Sequence, residues 1–113
     1  MSDIARICAL NDLLRRAACG PMLASGELVV TRGVLDHGED FLARAILAVR
    51  SHADFTADND PYGEHDFGSF VLDQQKLFWK IDYYDTDLAY GSPDPSDPEI
   101  TRRVLTIMLA SEY

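Results

Sequence analysis

Cationic side chains are scarce in this sequence. Ten Lys and Arg stand against 19 Asp and Glu over 113 residues, for a formal net charge of −9. Duplex nucleic acid and anionic membranes both demand a cationic surface, so direct binding to either is not expected. Cysteine is equally sparse: Cys8 and Cys19 are the two, with no Cys-x-x-Cys spacing. A reduced, cytoplasmic protein is therefore expected rather than a disulfide-stapled one. No apolar run approaches the ~18–20 residues that a membrane span needs. The stretch Met1–Leu14 lacks a basic region ahead of an apolar one and does not read as a secretory signal. Also missing are a Gly-x-Gly-x-x-Gly fingerprint, a phosphate-binding glycine loop and a Ser or Cys nucleophile elbow.

What is present is the composition of one globular domain over residues 1–113, with 47% apolar residues. A helix is expected over residues 3–18, where Ile4, Ile7, Leu10, Leu14 and Ala17 recur at helical spacing. Ser2 would cap it, and Gly20-Pro21 would end it. Glu27–Arg32 reads as a short β-branched strand. Residues 39–51 read as a second helix with Phe41, Leu42, Ala45, Ile46 and Val49 inward. Two strands, Gly68–Asp73 and Lys76–Tyr84, are expected around a Gln74-Gln75 connection. In the second, Leu77, Trp79, Ile81 and Tyr83 form the core set by alternation. Ser96-Asp97-Pro98-Glu99 has the form of a capping box opening a last helix, with Ile100, Val104, Ile107 and Met108 as its buried stripe. The expectation is an α+β domain of order α-β-α-β-β-α, a small antiparallel sheet of about three strands packed against three helices.

The negative charge is concentrated. Residues 54–99 hold twelve acids and two bases, Lys76 and Lys80, which makes −10, while the rest of the chain sums to +1. Within this stretch Asp58, Asp60, Glu64, His65 and Asp66 put four carboxylates and an imidazole in nine residues. Oxygen ligands suit hard cations, and a histidine extends the choice to Mn, Fe or Zn. A calcium loop is not matched, because Tyr62 and Ser69 stand where ligand side chains are needed. The plainer reading is turn chemistry, since Asn59-Asp60-Pro61-Tyr62-Gly63 is rich in residues whose side chains bond their own backbone. An enzyme reading would take His65 as base with Glu64 or Asp66 orienting it. Arg32, at a strand end, is a candidate buried partner for an Asp of the 58–66 loop, and Arg102 and Arg103 are candidates to pair with the acidic loops.

The strings Asp58-Asn-Asp-Pro-Tyr-Gly-Glu-His-Asp-Phe-Gly and Phe78-Trp-Lys-Ile-Asp-Tyr-Tyr-Asp resemble the signature of a bacterial family of domains of unknown function. Thr31–Val34 and Leu105–Tyr113 are similar to further stretches of that family. The resemblance implies no catalytic residue. It implies genes that travel on plasmids and phages beside anti-restriction genes, and hence a role against host defence.

Tyr and Trp beside carboxylates suit an Arg-rich partner through cation–π contacts and charge-assisted hydrogen bonds. The expected function is docking on a basic, nucleic-acid-handling protein, in the manner of an anti-CRISPR or anti-restriction nucleic-acid mimic. The expected partner-binding residues are Asp58, Asp60, Tyr62, Glu64, Asp66, Asp82, Tyr84, Asp85, Asp87 and Tyr90. Docking of this kind requires no cofactor. The rival is a metal-binding domain or metal-dependent enzyme on Asp58, Asp60, Glu64, His65 and Asp66. A solvated acidic face that only maintains solubility is the blandest alternative.

Overall fold

The computed structural model of the chain describes residues 3–18, 22–23 and 26–113. The expected Ser2 cap, the Gly20-Pro21 stop and Cys19 lie outside the described residues. Helix α1 covers Asp3–Arg16, strand β1 Met22–Leu23, β2 Gly26–Val30, α2 Arg32–Leu35 and α3 Glu39–Ser51. Strands β3 (Phe67–Leu72), β4 (Gln75–Tyr84) and β5 (Arg102–Leu109) follow, and a 3₁₀ turn spans Ala110–Glu112. The α+β class is as expected. The sheet is mixed: four full strands, extended at one edge by the two-residue β1, run in the order β1-β2-β5-β4-β3.

The segment expected as a last helix is strand β5, which lies inside the sheet. Its residues satisfy two periods at once. Val104, Ile107 and Met108 sit at helical spacing, but Arg103, Leu105, Ile107 and Leu109 alternate, and the run is β-branched. Pairing decides between them, because β5 runs parallel to β2 over Gly26–Val30 and antiparallel to β4 over Leu77–Tyr84. The parallel pairing also corrects the expectation of an antiparallel sheet. Ser96 and Glu99 serve turns in the loop before β5, where Ser96 Oγ and N–H donate to Asp94 and the Glu99 N–H donates to Asp97.

The β3–β4 hairpin turns one residue earlier than expected. Asp73 and Gln74 both take positive φ, 50° and 66°, as a type I′ turn requires. Arg44 of α3 grips Asp73 with two bonds of 2.9 and 2.7 Å, tying this turn to the helix layer.

One face of the sheet carries Leu28, Leu77, Trp79, Ile81, Leu105 and Ile107, and these pack with Leu14, Ala18, Val34, Phe41, Ala45 and Val49 in a single core. Alternation in β4 thus reads correctly. On the opposite face Phe67 and Tyr113 pack on Phe78, and Lys80 pairs with Asp82 at 2.8 Å. The Glu112 carboxylate accepts from the Thr31 hydroxyl and the N–H groups of Gly33 and Leu109, which joins the end of β5 to the start of α2.

Candidate functional site

The register places two loops together. Phe67 opens β3 opposite Lys80 of β4, and Tyr84 closes β4 opposite Arg102, which opens β5. Loops 54–66 and 85–101 therefore leave the same end of the sheet. Each carries five acids, and neither contains Lys or Arg.

Helix α1 faces this end with Cys8, Asn11, Asp12 and Arg15, spaced to lie along one side. Ile7 and Leu14 of the expected apolar stripe are buried, but this polar side is buried with them: Asn11 and Arg15 are enclosed, whereas Ile4 of the stripe is half exposed. The reason is hydrogen bonding. The Asn11 amide donates to the Tyr83 hydroxyl at 2.7 Å and to the Glu64 carbonyl at 3.0 Å, and accepts from Arg103 Nε at 2.8 Å. Tyr83 donates in turn to Glu64 at 2.8 Å. Burial pushes the Tyr83 hydroxyl well above the usual phenol range, so it remains a donor.

Beside this network lies a second one. His65, at φ +56°, stacks on Phe55 with centroids 3.7 Å apart, and its Nδ1 lies 2.9 Å from Asp12 Oδ1. Its backbone N–H donates to the Asp60 carboxylate, and its Nε2 lies 3.7 Å from Asp60 Oδ2. Cys8 Sγ stands 3.9 Å from Asp12 Oδ2, and Arg15 Nη2 donates to Asp12 Oδ1 at 3.0 Å. Burial, then the charge of Asp12, pushes the Cys8 thiol up. It is thus not an activated nucleophile.

The residues expected to bind a partner separate into three groups. Asp58, Tyr62, Asp87 and Tyr90 are exposed at the acidic end, the two tyrosines by 75% and 78%. Asp60, Glu64 and Asp66 turn inward. Asp60 is buried on the His65 backbone, Glu64 accepts from Tyr83, and burial followed by the charge of Glu64 pushes the half-buried Asp66 carboxyl up. Asp85 accepts from the N–H groups of Asp87 and Ala89, Tyr84 bridges to Gly91, and Asp82 pairs with Lys80. Of the five residues in the metal reading, Asp60 and His65 approach each other, while Asp58 is exposed and Glu64 is bonded elsewhere.

Arg32 is exposed and begins α2, far along the chain from the acidic loops' end of β5. The buried arginine beside an Asp is Arg15 instead. Arg103 does reach the second loop, donating to the Pro95 carbonyl. Sequence reasoning passed over Cys8, Asn11, Asp12 and Arg15 because helical polar residues ordinarily face solvent. Their one-sided spacing on α1 was the available signal.

The network dictates a response to pH. Burial pushes the His52 ring below its ordinary 6.5, whereas the unfolded chain takes up that proton freely. Burial also pushes Asp12 up, but hydrogen bonds from His65 and Arg15 outweigh it and hold the carboxyl below its ordinary 3.8. Both groups make stability fall on acidification, His52 below about pH 6.5 and Asp12 as pH drops through its lowered folded value. Asp66, pushed up, opposes them, since the folded state gains a proton before the unfolded one does. Denaturant melts from pH 8 to 3 are expected to show H52Q removing the upper part of the decline and leaving the lower.

No curated protein and no solved structure matches the chain. A family model described as a protein of unknown function, DUF3768, matches residues 30–112, which takes in Asp60, His65, Tyr83 and Arg103 and leaves α1 outside. The chain belongs to the DUF3768 family.

Proposed function

We propose that this protein is a small acidic binding protein that docks on the basic surface of a nucleic-acid-handling protein. The observation that carries the reading is the meeting of two five-acid loops, free of Lys and Arg, at one end of a single sheet. Carboxylates fixed on a folded scaffold and flanked by exposed Tyr62 and Tyr90 suit an arginine-rich groove. Such a surface attracts a cationic partner from a distance and sets the rate of encounter. The chemistry requires no cofactor. A nucleic-acid mimic encoded on a mobile element, inhibiting a restriction or CRISPR-type defence complex in the cytoplasm, is the biological form that this reading takes.

Not every carboxylate serves this purpose. Asp85, Asp94 and Asp97 bond the backbone of their own turns, so changing them alters loop shape as well as charge. Asp58 and Asp87 are exposed and make no side-chain hydrogen bond or ion pair among the described residues. The D58K/D87K variant therefore tests charge without dismantling a turn. A pull-down from bacterial lysate is expected to retain a nucleic-acid-binding protein at low salt and release it at high salt, with the variant retaining little at either. Equal capture by the variant would place the interface elsewhere.

A further inference from the structure

We infer that Cys8, Asp12 and His65 form a binding site for one zinc-class metal ion, with a fourth position open. One ligand atom from each lies within 4.8 Å of those of the other two. Cys8 and Asp12 are one turn apart on α1, and His65 comes from the loop before β3, so an ion here would clamp two separate elements.

The donor set selects the metal. A thiolate sulfur, an imidazole nitrogen and a carboxylate oxygen suit zinc and cobalt, whereas calcium and magnesium take oxygen alone. In a tetrahedral zinc site, bonds of about 2.0–2.3 Å set neighbouring donor atoms roughly 3.3–3.6 Å apart. The 2.9 Å between His65 Nδ1 and Asp12 Oδ1 and the 3.9 Å between Cys8 Sγ and Asp12 Oδ2 bracket that spacing. The first edge ends on Oδ1 and the second on Oδ2 of the same carboxylate, and the Cys8–His65 edge lies within 4.8 Å, so closing on an ion takes side-chain adjustment along all three edges.

The surroundings suit the same chemistry. Phe55 holds the imidazole plane, and the Asp60 carboxylate, with a side chain only 5% exposed, lies 3.7 Å from His65 Nε2. A carboxylate behind the outer nitrogen is the arrangement that orients metal-bound histidines. Asp12 offers Oδ1 on the His65 side, where it also accepts from Arg15, and Oδ2 on the Cys8 side, where Arg16 Nη2 lies 3.9 Å away. A carboxylate oxygen has lone pairs enough to serve a cation beside such a donor. Asp12 is 16% and His65 27% exposed at the side chain, so an ion has a path from solvent. On binding, zinc takes the sulfur lone pair and the thiol proton leaves to solvent, so one proton appears for each ion bound by the thiol form.

The test uses the full chain after treatment with a chelator. Zinc titrated by calorimetry is expected to bind at one equivalent and raise the melting temperature. Cobalt in its place is expected to give a sulfur-to-cobalt charge-transfer band. D60N should weaken zinc binding about 10-fold through the histidine it orients, and C8S and H65Q should weaken it further. C8S should also abolish the charge-transfer band, and its far-ultraviolet circular dichroism should match the parent. Absence of zinc binding, or binding unchanged in both C8S and H65Q, would overturn the site. Neither outcome touches the docking reading, which turns on salt and on Asp58 and Asp87.

Discussion

Replacing Arg15 with methionine is expected to cost about 3–5 kcal/mol of folding free energy, the range for removing one partner of a buried charge pair. The side chain is 1% exposed, and its guanidinium meets two needs at once. Nη1 donates to the carbonyls of Val49, Arg50 and His52 at 3.0, 3.3 and 2.8 Å at the end of α3, where Val49 also accepts from the His52 N–H. Nη2 donates to Asp12, and the cation rests 5.4 Å from the centroids of both Phe55 and Trp79. Its positive charge also complements the negative end of the α3 dipole. Methionine fills much of the volume but removes this donor from all three carbonyls, leaving Val49 only the His52 N–H, and takes away one of the side chains that hold Asp12. R15K should recover only part of the loss, since an ammonium lacks the planar fork that spans these acceptors. The melting temperature should fall by roughly 10–20 °C. A loss below about 1 kcal/mol would mean that water replaces the guanidinium at the end of α3.

The second large effect lies across the sheet. Gly68 of β3 sits opposite Trp79 of β4, and the indole lies over the glycine. A Cβ at Gly68 would stand 2.3 Å from Trp79 Nε1 and 2.6 Å from Cε2. Trp79 is fully buried and walled in by His52, Phe55 and Arg15, so the ring has little room to retreat. G68A is therefore expected to cost about 3 kcal/mol, the upper part of the range for overpacking. Trp79 is the single tryptophan, so its fluorescence reports the displacement directly. In a W79L background the same change should cost much less, and this non-additivity identifies the clash as the cause. Equal costs in the two backgrounds would trace the effect to the β3 backbone.

Much of this architecture can be read from local pattern. Helix α3 follows from the 3.6-residue recurrence of Phe41, Ala45 and Val49, and the β3–β4 hairpin follows from alternation around a two-residue turn. Strand β5 could not be separated from a helix locally, because its apolar residues fit both periods and a capping-box string precedes it. Its state is set by β2, some 77 residues earlier in the Gly26–Arg103 pair, and by β4. The same distance hides the polar networks. Asn11 reaches Tyr83 and Arg103 across 72 and 92 residues, and Asp12 reaches His65 across 53. The acid-rich loops are visible by counting, but their meeting at one end depends on strand register. Their carboxylates also divide, between Asp60 and Glu64 turned inward and Asp58 and Asp87 left free, by hydrogen bonds that spacing does not encode.

Docking turns on the charge of that end. Its most direct measurement is the affinity of the purified chain for the nucleic-acid-binding protein it captures, taken over a series of salt concentrations. Affinity is expected to fall steeply and steadily as ionic strength rises, and D58K/D87K should weaken binding and flatten the salt slope. An affinity indifferent to salt and unchanged in D58K/D87K would contradict the account.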